Sequence, residues 1–317
     1  MRRGTSDAVQ EEIMEYIVRT NEICKYYKGF KALNGVTMNI PKGSIYGFVG
    51  KNGAGKTTMI RILTGLQLPT KGSFELCGKS SDSSDIHKAR RRMGAVVESP
   101  ALFQDMTAKD NLKQQYINLG LPSYEGLNEL LELVGLADTG RKKVKNFSLG
   151  MRQRLGIAIA LCGNPDFIIL DEPVNGLDPQ GIIEIRELIL KLNREQGITV
   201  LISSHILDEL GKLATHYGFI DKGVIIKEMS AEELESACRK SIRMKVSDTA
   251  VLARIMEKMG IEYSILSEDT ADVYSTMKFS DIAAAFAAEG CDILTMEEHD
   301  ESLESFYMSL LGGEVNV

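Results

Sequence analysis

The sequence predicts an α/β fold built on a mostly parallel sheet, with a helical insertion and a second, small α+β unit at its C-terminal end. Three observations carry this. Short continuous apolar runs bounded by Gly, Pro or Asp recur along residues 14–230, the mark of strands buried on both faces. Amphipathic helical patterns alternate with them, and such alternation folds into a parallel sheet. Past residue 230 the pattern changes to short strands and helices in the order β-α-β-β-α-β.

Taken in order, residues 1–13 are polar and patternless and read as a disordered extension before a domain spanning 14–230. Strands are expected at 17–23, 36–40, 45–49, 93–97, 167–170, 199–202, 217–220 and 224–226. A helical subdomain is expected over about 107–165: Thr107 followed by Asp110 resembles a capping box, and Leu127, Leu130, Leu131 and Val134 form an apolar stripe. Core packing fits such spacing better than a partner groove. Ile182, Ile185, Ile189 and Leu192, with charges on the opposite face, mark a longer helix. Over 231–317 the expectation is strand 241–246, helix 249–259, strands 262–266 and 272–277, helix 280–289 and strand 292–297, the ferredoxin-like order, then an amphipathic helix around 302–311. That part holds no clustered His or Cys and no Gly-rich loop, and reads as an accessory domain.

Composition narrows the function classes. With 44% hydrophobic and 26% charged residues in 317, the chain has enough apolar side chain for a sizeable core. Cys24, Cys77, Cys162, Cys238 and Cys291 are scattered without a CxxC pair or a nearby His, against a disulfide framework or structural zinc, and read as reduced cytoplasmic thiols. A net charge of -7 gives no long-range attraction to nucleic acid or anionic lipid, so no nucleic-acid partner is expected. The basic cluster His87, Lys88, Arg90, Arg91 and Arg92 lacks interleaved aromatics and reads as a solvated helix face. The 14 methionines read as core filler. No run reaches the ~18 apolar residues of a membrane span, and the N-terminus lacks the apolar stretch of a signal peptide. If a membrane is involved, another chain supplies it.

The chemistry begins where strand 45–49 runs into Gly50-Lys51-Asn52-Gly53-Ala54-Gly55-Lys56-Thr57-Thr58, followed by an apolar helix pattern from Met59. This is G-x-x-x-x-G-K-[ST] in the strand-loop-helix context of a P-loop NTPase. Glycines let consecutive amides curl around phosphate oxygens, and the helix N-terminus adds its partial positive charge. Lys56 then reaches the β- and γ-phosphates and the Thr57 hydroxyl ligates Mg²⁺. A second buried run, Phe167-Ile168-Ile169-Leu170, ends in Asp171-Glu172 at the carboxyl edge of the sheet. Asp171 suits holding Mg²⁺ through water and Glu172 suits polarising an attacking water. Alone, such a pair is more often a helix N-cap region, and Lys56 gives it its meaning.

With the string Phe147-Ser148-Leu149-Gly150-Met151-Arg152-Gln153-Arg154, the turn Asn175-Gly176-Leu177-Asp178-Pro179 and Ser203-Ser204-His205, these motifs resemble, in order and spacing over about residues 17–230, the ATPase subunit of an ABC transporter. The resemblance implies a head-to-tail dimer, of two identical or two different ATPase chains, with two ATP molecules sandwiched between the phosphate loop of one subunit and the signature of the other. Ser148, Leu149, Gly150 and Met151 would then face the partner's ATP, Leu177 and Asp178 would form the D-loop, and His205 would touch the γ-phosphate. Tyr27 sits where the family stacks an aromatic on adenine, with Tyr26 and Phe30 as competing choices and core packing as the alternative for all three. A serine N-cap on an amphipathic helix is a simultaneous reading of the signature.

Two departures stand out. The family's LSGGQ is here FSLGM, and the loop that normally carries glutamine carries Glu98, which the resemblance places among the ATP-binding and Mg²⁺-holding residues because a carboxylate ligates Mg²⁺ where an amide would. Both features resemble the subgroup of drug and peptide-antibiotic exporters, including bacitracin and lantibiotic self-protection systems. The function this resemblance implies is MgATP hydrolysis driving a separate integral-membrane permease that exports a drug or peptide antibiotic, with the chain peripheral on the cytoplasmic membrane face. The alternative is a soluble ABC-type switch acting on a ribosome or regulatory partner.

Overall fold

A computed structural model of the chain describes residues 15–238, 240–274, 279–300 and 303–311; the expected N-terminal extension and the end of the strand expected over 272–277 lie outside them. It divides into two units, residues 1–229 and 230–317.

The first unit opens with β1 (Tyr16–Tyr27), β2 (Phe30–Val36) and β3 (Asn39–Pro41). The single strand expected over 36–40 is thus two. The Thr20 hydroxyl explains the break: it donates to the Val36 carbonyl (3.0 Å) and accepts from the Met38 amide (2.8 Å), taking over the bonds a continuous ladder would use. Next come β4 (Ile45–Val49), α1 (Lys56–Leu63), β5 (Lys71–Leu76), β6 (Lys79–Ser80), α2 (Ile86–Arg90) and β7 (Met93–Val96). The antiparallel layer has the order β2-β1-β5-β6, with β3 also on β1. β1 runs four residues beyond the expected end at 23, through register irregularities between Ile23 and Lys25 and between Lys25 and Tyr26 that blur its alternation.

The helical insertion holds α3 (Ala108–Leu119), α4 (Leu127–Leu133) and α5 (Leu149–Leu161). Thr107 caps α3: its hydroxyl accepts from the Asp110 amide (3.1 Å) and donates to the Asp110 carboxylate (2.7 Å). The acid therefore returns to the cap's side chain instead of its amide, half of a capping box. Leu127, Leu131 and Val134 are buried and Leu130 half-buried, so the stripe is core. The insertion returns to β8 (Phe167–Asp171), α6 (Pro179–Gln196), β9 (Thr199–Ser204), α7 (Leu207–Gly211), β10 (His216–Asp221) and β11 (Val224–Ser230).

The central sheet has the order β11-β10-β4-β9-β8-β7, parallel from β10 to β7. All residues of β4, β8 and β9 are buried, as the apolar runs that make up most of each strand require. One core joins sheet and antiparallel layer through Phe48, Met59, Ile60, Phe167, Leu201 and Leu33 among others, each such side chain contributing about 1.5–3 kcal/mol by leaving water. Because β9 lies between β4 and β8, the carboxyl ends of these three strands are neighbours.

The second unit contains α8 (Ala231–Ala237), β12 (Lys240–Val246), α9 (Thr249–Met259), β13 (Glu262–Ile265), β14 (Thr270–Tyr274), α10 (Phe279–Ala288), β15 (Ile293–Asp300) and α11 (Leu303–Leu310). Its antiparallel sheet has the order β13-β14-β12-β15. Leu252, Ile255, Met256, Ile282 and Phe286 of the helices pack on Ile242, Met244, Val246 and Val273 of the sheet. Asp248 caps α9 and Gly260, left-handed at φ 67, ends it. No helix among the described residues is long and apolar enough to cross a membrane.

Candidate active site

The loop after β4 is shaped by what its glycines exclude. A Cβ on Gly50 would lie 2.6 Å from the Ile220 carbonyl oxygen, and one on Gly55 2.8 Å from that of Ala32, so only glycine lets the chain pass this close to its neighbours. Gly55 is left-handed at φ 114 and starts α1. The first bond of that helix runs from the Met59 amide to the Gly55 carbonyl (3.0 Å), which leaves the Lys56, Thr57 and Thr58 amides at the open end without intrahelical acceptors. An anion seated there gains these donors and the helix dipole together. Lys56 is 6% exposed; its ammonium donates to the Gly50 carbonyl and lies 3.6 Å from Glu172 Oε1.

Two carboxylates face this loop from β8. Asp171, 2% exposed, pairs in register with Ser203 of β9. Ser203 Oγ donates to Asp171 Oδ1 at 2.5 Å, and the second carboxylate oxygen, Oδ2, is buried with no hydrogen-bond partner among the described residues. An orphaned buried anionic oxygen is costly unless a cation or its water satisfies it, so the donor set fits a hard divalent cation, with the Thr57 hydroxyl on the adjoining helix. Glu172 adopts left-handed backbone at φ 51, a conformation that costs about 1–3 kcal/mol off glycine and persists only when neighbours fix it. They do: its amide donates to the Ser203 carbonyl (3.1 Å) and hydroxyl (3.0 Å). Its Oε2 meets His205 Nδ1 at 2.6 Å and accepts from the His205 amide at 3.3 Å. The twisted backbone thus swings Glu172 out of the strand line and holds it between Lys56 and His205, one group from the end of each of three adjacent strands.

The other expected residues lie elsewhere in the unit. Glu98, left-handed at φ 60, closes its carboxylate on Arg61 of α1. Tyr27 and Phe30 flank the β1-β2 turn and are 44% and 59% exposed, so neither is core; Tyr26 is half-buried. Lys25 lies over the Tyr27 ring at 5.5 Å and the phenol donates to Gln67 (2.7 Å), leaving an amphipathic platform at the surface. Ser148 is the N-cap of α5, accepting from the Met151 amide (3.2 Å). Leu149, 38% exposed, lies against Gly176, and Leu177 against Gly150, so the 147–154 string and the 175–179 turn adjoin within one chain. Asp178 caps α6 by accepting from the Gly181 amide (3.2 Å). Of the expected residues, the structure brings Lys56, Asp171, Glu172 and His205 together, while Ser148, Leu149, Gly150, Leu177 and Asp178 form a separate group. Sequence reasoning gave no role to two participants: Ser203, quoted only within the string that ends in His205, and Arg61. A hydroxyl breaking the apolar run of β9 beside a strand-end acid was the available signal for Ser203. Arg61 had none, since a cation in a last helical turn is common for the dipole alone.

A separate cleft of about 1160 Å³ lies away from these motifs, with Leu121, Leu130, Leu133 and Ile198 among its lining residues. Glu125, Glu129, Glu132, Asp166 and Glu195 line it, with Lys191 the one cation among the lining residues.

Comparison with known proteins agrees with this geometry. Residues 33–175 match the family model described as ABC transporter. The chain is 39% identical over 303 residues to the bacitracin transport ATP-binding protein BcrA of Bacillus licheniformis, covering 95% of this chain and 99% of that protein. It is 44% identical over 220 residues to the lantibiotic transport ATP-binding protein SrtF of Streptococcus pyogenes, covering 69% and 93%. Among solved structures, the ATP-binding cassette MJ0796, a dimer in a post-hydrolysis state bound to ADP and Pi, superposes with a TM-score of 0.61 at 28% identity, over 68% of this chain and 98% of that one. A phosphate loop, two strand-end carboxylates and a histidine on one sheet edge, together with relatives matched over nearly their full length, place the chain in the ABC transporter family as an ATP-binding, ATP-hydrolysing subunit.

Proposed function

We propose that the chain hydrolyses MgATP at a site completed by a second ATPase subunit, and so drives a separate membrane permease that exports a drug or peptide antibiotic. The observation that carries the catalytic part is Glu172, held by strained backbone between Lys56 and His205. In this reading the loop 50–58 and Lys56 bind the phosphates, Tyr27 stacks on adenine, and Ser148, Leu149, Gly150 and Met151 meet the partner's nucleotide beside Leu177 and Asp178. Glu172 accepts the proton of the attacking water as its oxygen bonds to the γ-phosphorus and the bond to ADP breaks. His205, carried on the same carboxylate, follows the γ-phosphate and releases Glu172 when it turns. Thr57, Asp171 through Oδ2, and Glu98 once it leaves Arg61 would hold Mg²⁺, which when bound neutralises phosphate charge. Loss of the γ-phosphate removes a contact present only in the closed dimer, the difference a switch needs.

The substrate class rests on the relatives named for bacitracin and lantibiotic transport. For the permease, the acid-lined cleft between helical insertion and sheet offers a docking surface for a basic amphipathic segment, since five carboxylates, against the one cation Lys191, share its lining with leucine and isoleucine side chains. The chain would then sit on the cytoplasmic membrane face through that partner. The test is an affinity pull-down of Glu172→Gln with MgATP from detergent-solubilised native membranes. A multi-span membrane protein in near-equal amount is the expected result; ribosomal or soluble regulatory proteins alone would overturn the transport reading.

A further inference from the structure

The two serines before His205 divide the site between them. Ser204 Oγ accepts from the Ile206 amide at 2.9 Å and so shapes the turn that carries His205. Ser203 looks the other way: fully buried in β9, it bonds both members of the acidic pair on β8. Its hydroxyl has one proton, given to Asp171 Oδ1 at 2.5 Å, and its lone pair takes the Glu172 amide at 3.0 Å.

We propose that Ser203 is a positioning residue for the reaction, one hydroxyl that fixes the rotamer of Asp171 and the strained backbone of Glu172 together. Asp171 is buried, and its carboxylate has one oxygen bonded by Ser203 and the other bonded by nothing among the described residues. Saturating Oδ1 leaves Oδ2 as the oxygen for a cation or its water, so the serine decides which way the carboxylate is presented. Without the hydroxyl, either oxygen can turn to any donor, and the orientation that serves the metal loses its support. The same loss frees half of the bifurcated bond that holds the Glu172 amide, whose left-handed φ of 51 has no glycine to ease it. Asp171 and Ser203 lie in register on adjacent parallel strands, so the geometry is fixed by the sheet and needs no ligand to form.

The proposal rests on the ATPase reading, and the experiment separates the two. In the full-length protein, ATP affinity is measured by calorimetry in EDTA and again with Mn²⁺ standing for Mg²⁺, alongside steady-state hydrolysis and a melting curve, for the parent, Ser203→Ala, Ser203→Thr and Ser203→Val. Outer-shell partners of a metal typically carry about 10- to 100-fold in metal affinity or activity. Ser203→Ala and Ser203→Val should therefore keep the EDTA affinity but lose about 10-fold or more of the Mn²⁺-dependent gain and of kcat. Ser203→Thr, which keeps the hydroxyl, should restore both, and because Thr and Val share one shape, their comparison removes packing. Mn²⁺-dependent gains within about twofold of the parent in Ser203→Val, or equal losses in the Thr and Val variants, would overturn the proposal. A parent that binds no nucleotide would instead defeat the ATPase reading itself.

Discussion

Replacing Arg61 with glutamine tests what Glu98 does, and the structure sets the size of the effect. The Glu98 carboxylate closes on the Arg61 guanidinium, with the two side chains 59% and 36% exposed. An ion pair this open to water is worth about 0.2–1 kcal/mol after screening and side-chain ordering. If Glu98 serves Mg²⁺, that contact is surrendered whenever MgATP binds, so the parent's affinity is lowered by the same amount. Arg61→Gln should then bind MgATP about 1.4- to 5-fold more tightly, from the exponential of that energy over RT. The gain should be absent in EDTA, where Glu98 has no reason to leave. Titration calorimetry with and without Mg²⁺ resolves this range. An Mg²⁺-dependent affinity that is unchanged or weaker in Arg61→Gln would refute the reasoning and return Glu98 to a surface role. Arg61 is half-buried in the last turn of α1, so the fold should lose no more than the about 0.2–1 kcal/mol of the ion pair itself.

Gly50→Ala puts a methyl 2.6 Å from the Ile220 carbonyl oxygen; overpacking of this kind costs about 1–3 kcal/mol, so a lower melting temperature together with lost ATP binding is expected. Burial pushes the Cys162 thiol from an ordinary 9.0 up to about 12. A raised folded-state pKa means this contribution to stability is intact below pH 9 and drains away as pH climbs towards 12, so denaturation midpoints of the parent should fall across that window more steeply than those of Cys162→Ala. Its thiol should resist alkylation near neutral pH until the protein unfolds. Reversing charge in the acidic cleft with Glu129→Lys and Glu132→Lys should weaken co-purification of the permease while leaving basal ATP hydrolysis of the isolated chain unchanged; retained co-purification would remove the cleft as the docking surface.

Much of the framework was legible because burial on both faces writes itself plainly. β4 coincides with its expected bounds, and β8 adds only Asp171 to its own, since a strand inside a parallel sheet has no reason to carry polar residues until its carboxyl end, where the site lies. Likewise α9 occupies the expected 249–259, bracketed by an Asp cap and a glycine stop. The antiparallel layer was harder to read. β2 and β5 begin with exposed residues and include glycines and lysines, so their apolar positions form no sustained alternation. Their pairing comes from β1, far away in sequence, and hydroxyls such as Thr20 decide where strands break. In the site, residue types announced Lys56, Asp171 and Glu172, but contacts that depend on strand order did not show in the sequence. That Ser203 sits opposite Asp171 follows from β9 lying beside β8, and that Arg61 meets Glu98 depends on how a loop folds back on α1.

The central claim is that Glu172 activates the water that cleaves ATP, and Glu172→Gln, which keeps shape and removes the charge, tests it most directly. General-base action is worth about 10²- to 10⁴-fold, so phosphate release by this variant should fall by at least the lower figure while MgATP binding persists and dimers accumulate in sedimentation. Turnover at the parent's rate, with MgATP bound as tightly, would contradict it.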